Sequence, residues 1–147
     1  SATWPAYEEG PQTKTKLMLN GMTDKVAGDL VPMTQAWLNP PDVKLSGTGV
    51  KNGGYDPTQK AYVFSLTGSS RSNGINGSIA AGADSPVANP AFVIMGWGER
   101  RAKLLIDGKE LKPGKDVRFG YNHTLESTDL VVWVRKESIK TLEFAIL

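Results

Sequence analysis

The sequence predicts an all-β chain: a two-layer antiparallel β-sandwich, Ig-like or jelly-roll, with one short N-terminal helix. Three observations carry that expectation. Sixteen glycines and nine prolines recur at short intervals along the 147 residues. Between them stand runs rich in Val, Ile, Leu and aromatics, which is the pattern of short strands joined by turns. Some of these runs are apolar at every position while others alternate, separating strands covered on both faces from strands with one wet face.

The first 41 residues are the least regular. TKTKLML (13–19) alternates like a strand at Leu17 and Leu19. DLVPMTQAWL (29–38) places Leu30, Met33 and Trp37 at helical spacing, with Asp29 as a cap and Pro32 in the first turn. Pro40 and Pro41 end that helix. Residues 1–41 therefore read as an extension or linker packed on a sandwich formed by 42–147. The opening SATWPAYEEG has neither the basic start nor the apolar core of a signal peptide. It reads as the mature end of a processed protein or a cut from a longer chain.

DVKLSGTGV (42–50) alternates Val43 and Leu45 against Lys44 and Ser46. KNGGYDPTQ (51–59) is dense in turn formers, and KAYVFSLTG (60–68) supplies the returning strand. SSRSNG (69–74) reads as a loop, and INGSIAA (75–81) as a short strand weakened by its glycine. GADSPVANP (82–90) leads into AFVIMGW (91–97), whose run through Met95 is apolar on both faces. AKLLID (102–107) meets Asp107-Gly108, a dipeptide that favours a tight hairpin because Gly accepts positive φ cheaply. KEL (109–111), DVRFGYN (116–122), DLVVWVRK (129–136) and TLEFAIL (141–147) complete the series. The strands at 91–97 and 130–134 should lie centrally.

Composition excludes several functions. There is no cysteine, which removes disulfides, zinc–thiolate sites and cysteine nucleophiles. Seventeen basic and fifteen acidic residues are too balanced for a nucleic-acid or membrane partner. No apolar run approaches the ~20 residues needed to span a bilayer. Phosphate loops and dinucleotide fingerprints are absent, and GTGVKNGG (47–54) leads into no helix. No cofactor is expected, although loop carboxylates near Asp56 or Asp84 offer a place for a structural Ca²⁺.

For catalysis, the lone histidine His123 follows Tyr121 on a turn, and no Gly-x-Ser-x-Gly elbow accompanies it. Arg118, Tyr121 and His123 are the group types a lyase acting on acidic sugars would use as neutraliser, base and acid. In a regular strand Arg118 and Tyr121 point to opposite faces, so that site needs a bulge at Gly120.

Aromatic residues are more informative. A sugar ring stacks its C–H face on an indole or phenol while polar neighbours bind its hydroxyls. Trp133 alternates away from Leu130, Val132 and Val134 and reads as a core tryptophan. Trp97, between Gly96 and Gly98, reads equally as edge of core or binding platform. Tyr55 lies in a turn and Tyr121 beside one. Residues 99–118 carry seven basic and four acidic side chains, a net of three positive charges. Trp97, Arg100, Arg101, Tyr121, Arg118 and Tyr55 are therefore the candidate ligand-binding set, with an anionic glycan as a natural partner.

YDPTQKAYVFSL (55–66), SPVANPAFVIMGWG (85–98), IDGKELKPGKDVRFGY (106–121) and DLVVWVRKES (129–138) resemble a C-terminal β-sandwich accessory domain. Such domains are appended to secreted bacterial enzymes acting on polysaccharides. The resemblance covers roughly residues 42–147 and none of its motifs is catalytic. It implies a secreted or periplasmic setting, a polysaccharide partner and a preceding catalytic domain. The first reading is accordingly a non-catalytic carbohydrate-binding or accessory module. The second is a docking module without glycan affinity, with an apolar patch around residues 1–41. The third is the lyase using Tyr121, His123 and Arg118.

Overall fold

A computed structural model describes residues 31–67 and 74–147. The expected strand at 13–19, the Asp29 cap, Leu30 and most of the loop at 69–74 lie outside them. The described chain forms helix α1 (Val31–Leu38) and twelve strands. These are β1 (Asp42–Ser46), β2 (Val50–Asp56), β3 (Ala61–Leu66), β4 (Ile75–Ala80), β5 (Val87–Ala88) and β6 (Ala91–Met95). After them come β7 (Leu104–Ile106), β8 (Lys109–Leu111), β9 (Val117–His123), β10 (Thr128–Val134), β11 (Glu137–Ser138) and β12 (Leu142–Ile146).

Ten strands build two five-stranded sheets that pack as a sandwich. The first runs β1-β4-β12-β7-β8 and the second β2-β3-β6-β10-β9, while β5 and β11 pair separately. The two runs that are apolar on both faces, β6 and β10, are neighbours in the interior of the second sheet, as their composition requires. One pairing departs from the expected antiparallel plan: β3 and β6 are parallel, with Tyr62 opposite Phe92 and Ser65 opposite Met95. The physical reason is the route between them. A parallel pair needs a crossover, and here the chain passes through β4 of the other sheet before returning as β6.

Alternation places the core. Phe64 of β3, Phe92 and Ile94 of β6, and Leu130, Val132 and Val134 of β10 point inward from the second sheet. Ile75, Ile79, Leu104, Leu142, Phe144 and Ile146 meet them from the first. Phe144 bridges the layers: its ring centroid lies 5.0 Å from Phe92 and 6.0 Å from Phe64. Each such ring contributes about 1.5–3 kcal/mol by leaving water.

Two expectations are corrected by this packing. KNGGYDPTQ is not a turn throughout; its first six residues belong to β2, and only Pro57–Lys60 turn. The register of β2 on β3 shifts between Asn52 and Tyr55, so the glycine pair makes a bulge inside a strand. A Cβ on Gly53 would stand 2.9 Å from the Val63 carbonyl oxygen, which reserves that position for glycine. Trp133 does not lie between the sheets. It is on the outer face of β10, in phase with Val131 and opposite to Leu130, Val132 and Val134. There its ring covers Gly120 of β9 and adjoins Ala88, Met33 and Ala36, through which α1 packs on the sandwich.

Candidate functional site

Three of the sequence-nominated residues, Trp97, Arg100 and Tyr121, converge at one end of the second sheet. After β6, Gly96 and Gly98 take φ of +77° and +88°, a region that glycine enters at little cost. The chain thereby turns back on itself and the indole of Trp97 swings into the core, where it is 1% exposed. The Arg100 guanidinium caps the ring at 3.9 Å from its centroid. The Trp97 Nε1–H donates to the Arg100 carbonyl at 3.0 Å, and the Tyr121 hydroxyl donates to the same oxygen at 2.6 Å. Asp129, itself buried, accepts from the Gly96 N–H at 3.1 Å and the Ser127 hydroxyl at 2.8 Å. The Gly98 N–H donates to the Thr128 carbonyl. Trp97 is therefore a packed residue under an arginine, and presents no open face for a sugar.

The remaining nominees are separated. Arg101 is exposed next to this cluster. Arg118 pairs across from Trp133, and its Nε–H donates to the Gly114 carbonyl at 3.0 Å. The β9–β10 register is continuous from Val117–Val134 to His123–Thr128, with no bulge at Gly120. Arg118 and Tyr121 therefore face opposite sides of β9, and the lyase arrangement is not assembled. His123 Nδ1 shares a hydrogen bond of 3.0 Å with the Thr128 hydroxyl, its direction set by the imidazole tautomer. The Glu99 carboxylate stands 4.0 Å from that nitrogen, both side chains being well exposed.

Tyr55 lies toward the other end of the sheet. Its ring meets Tyr62 edge-on at 5.1 Å. Burial, then the Asp56 carboxylate, push the Tyr55 phenol above the ordinary tyrosine range. Burial, then Tyr55 and Asp42, do the same to Tyr62, whose hydroxyl donates to the Pro41 carbonyl at 2.7 Å. Neither phenol is poised as a base. Asp56 caps its own turn: it accepts from the Thr58 N–H at 2.9 Å and from Gln59 Nε2 at 2.8 Å. Among the described residues no group of three His, Cys, Asp or Glu side chains is close enough to hold a metal ion.

A concavity lies elsewhere, on the solvent face of the first sheet. A hollow of about 370 Å³ is walled by residues 44–46 of β1, 76–78 of β4 and 143–145 of β12, with Leu105 and Gly108 at one side. The registers align these segments in rows. Lys44, Ser78 and Glu143 form one row, and Ser46, Asn76, Ala145 and Leu105 another. Between them runs the row Leu45, Gly77, Phe144, whose side-chain positions face the core.

Gly77 lies in the floor of the depression. It carries no side chain toward the core, and Leu45 and Phe144 close in beneath it. A Cβ there would meet Leu45 Cδ2 at 2.9 Å and Phe144 Cζ at 2.8 Å. Above that floor the outward side chains are short in the middle (Ser78, Asn76, Ala145) and long at the margins (Lys44, Glu143, Leu105). Among the described residues the side chains of Lys44, Asn76, Ser78 and Glu143 make no hydrogen bond or ion pair. Their polar ends are available to a ligand.

Sequence reasoning missed this hollow. Alternation in 42–46 does turn Lys44 and Ser46 outward, which was the available signal. Nothing in the sequence makes β1, β4 and β12 neighbours, because they are brought together by pairing across 30 to 71 positions of chain. No family model, characterised protein or solved structure matches the chain.

Proposed function

We propose that this chain is a non-catalytic saccharide-binding module that takes its ligand on the solvent face of the first sheet. It would serve as an accessory part of a polysaccharide-active enzyme working outside the cytoplasm. The observation that carries the reading is the 370 Å³ hollow with its unengaged polar side chains. That volume falls in the ~300–1,000 Å³ range of small-ligand sites. A sugar ring needs an apolar floor for its C–H face and separate donors and acceptors for its hydroxyls. Ala145 in the middle and Leu105 at the margin offer apolar surface for the first; Lys44, Asn76, Ser78 and Glu143 supply the second.

An extended peptide fits less well. Peptides that join a sheet use unpaired backbone groups at an edge strand, whereas β4 and β12 are paired on both sides and the open edge of β1 is the one away from β4 and the hollow. The sequence resemblance to accessory domains of polysaccharide-degrading enzymes points the same way. Titration calorimetry against a panel of neutral, acidic and amino-sugar oligosaccharides tests the reading. Ser78→Leu, which fills the middle of the hollow, should abolish the binding seen with the parent chain. Undiminished binding in that variant, or silence across the whole panel, would sink it.

The docking reading keeps one observation in its favour. Val31 and Leu38 of α1 are 55% and 82% exposed, within the segment where an apolar patch was expected. Val31→Ser with Leu38→Ser should weaken attachment to a neighbouring domain if that surface is used. Unchanged co-purification with such a domain would remove it.

A further inference from the structure

From the charge layout of the same hollow, we infer that its ligand is a neutral sugar whose hydroxyls are gripped from opposite sides by Lys44 and Glu143. This inference rests on the saccharide reading and adds the class of sugar. Lys44 and Glu143 are the charged side chains lining the hollow, so their formal charges cancel. They flank Ser78 in one cross-strand row, Lys44 on β1 and Glu143 on β12. With strands ~4.8 Å apart, their backbones are roughly 10 Å from one another, far enough to leave a ring between the two side chains.

Hydrogen-bond inventories decide what fits there. An ammonium only donates and an ionised carboxylate only accepts, whereas a hydroxyl does both. A ring bearing several hydroxyls therefore satisfies Lys44 on one side, Glu143 on the other, and Ser78 and Asn76 beneath. A uronic acid meets Lys44 well but brings a like charge toward Glu143. An amino sugar has the converse conflict at Lys44. The basic residues of 99–118, which suggested an anionic glycan, do not help a uronate here. None of the seven lines the hollow.

The experiment uses the whole chain and oligomers of glucose, mannose and galactose, alongside oligogalacturonate and chitosan oligomers. Neutral oligomers should bind at least tenfold more tightly than either charged class. Their affinity should change less than twofold between 50 and 500 mM NaCl, since no net charge is being neutralised. Lys44→Met and Glu143→Gln should each weaken neutral binding about tenfold, with Ser65→Ala on the other sheet as an unaffected control. Both altered residues are exposed, and unchanged thermal unfolding verifies that each variant is folded. In the parent chain, amide NMR shifts on adding the neutral oligomer should concentrate at residues 44–46, 76–78 and 143–145.

Tighter binding of a charged oligomer at these same residues would overturn the neutral class and leave the saccharide reading standing. Neutral binding indifferent to both substitutions, with shifts elsewhere, would overturn the assignment of Lys44 and Glu143. No binding by any member of the panel would overturn the saccharide reading itself, and this inference with it.

Discussion

Gly77 and Phe144 are cross-strand partners, and the ring of Phe144 occupies the space a side chain at position 77 would need. The distance from a Cβ at Gly77 to Phe144 Cζ would be 2.8 Å, and to the Lys44 carbonyl oxygen 2.6 Å. The ring can swing aside; the carbonyl, held in the β1–β4 ladder, cannot do so cheaply. Phe144 is also the ring that joins the two sheets, so displacing it disturbs Phe64 and Phe92 as well. Gly77→Ala should therefore destabilise the chain by about 1–3 kcal/mol, the usual cost of overpacking a close contact. Denaturant unfolding measures it. A neutral result would mean that β4 can rise off the core without loss.

The Arg100 carbonyl accepts from Trp97 and from Tyr121, so one oxygen ties the 96–100 turn to the end of β9. Tyr121→Phe removes one of those two donors and keeps the ring. At a site 38% exposed the loss should be small, about 0.5–1 kcal/mol. Its local consequence should be larger than its global one: faster hydrogen exchange at the Trp97 indole, with little change at Val132 or Phe144. Trp97→Ala should behave differently, costing about 3–5 kcal/mol because it empties a fully buried site. If Trp97→Ala were nearly neutral and reduced glycan binding, the indole would be a platform after all.

The sandwich was legible because its signals are local. Uninterrupted apolar runs marked β6 and β10 as interior strands, and Asp107-Gly108 marked a hairpin. At that hairpin both residues take positive φ, +50° and +81°. Where a local signal had two meanings, the reading went astray. Gly53-Gly54 signals a turn or a bulge equally, and only the proximity of Val63 decides for the bulge. Trp133 had the right phase but the wrong layer, since alternation separates two faces without saying which is inside when both are apolar. Trp97 was undecidable for a related reason: the glycines beside it free the backbone, but the direction it turns is set by Asp129, Thr128 and Arg100, contacts that pairing creates. The sheet-face hollow left still less trace. Its walls are ordinary strand residues from three distant segments, and their meeting is a property of topology.

Tyr55 and Tyr62 touch, yet their hydroxyls differ. Tyr62 donates to the Pro41 carbonyl, whereas the buried Tyr55 hydroxyl has no hydrogen-bond partner among the described residues. At pH 7, Tyr62→Phe should cost about 1 kcal/mol, while Tyr55→Phe should be close to neutral or slightly stabilising. The alkaline limb gives a second test. Both phenols are raised above the ordinary value of about 10 in the folded chain. Below that pH both states keep the proton and nothing changes. Above it the unfolded chain releases protons that the folded chain retains, so stability falls as pH rises. The double Phe variant should show a flatter decline above pH 10 than the parent chain. An unchanged slope would mean that other groups, such as the lysines, govern the alkaline limb.

Asp107 is held twice to the strand that forms one wall of the hollow. Its N–H donates to the Glu143 carbonyl at 2.8 Å, and its carboxylate accepts from the Glu143 N–H at 2.9 Å. It also stands at φ +50° as the first residue of the β7–β8 turn. Asparagine can make the same acceptor contact and enters this region nearly as easily. Asp107→Asn should therefore change stability by less than about 0.5 kcal/mol, the level of an ordinary surface substitution. Alanine loses the acceptor and pays the left-handed penalty, so Asp107→Ala should cost about 1–3 kcal/mol. Because the bond it breaks is to Glu143, Asp107→Ala should also weaken glycan binding more than Asp107→Asn does, at a temperature where both are folded. Equal binding by the two variants would show that Asp107 steadies the hairpin without positioning Glu143.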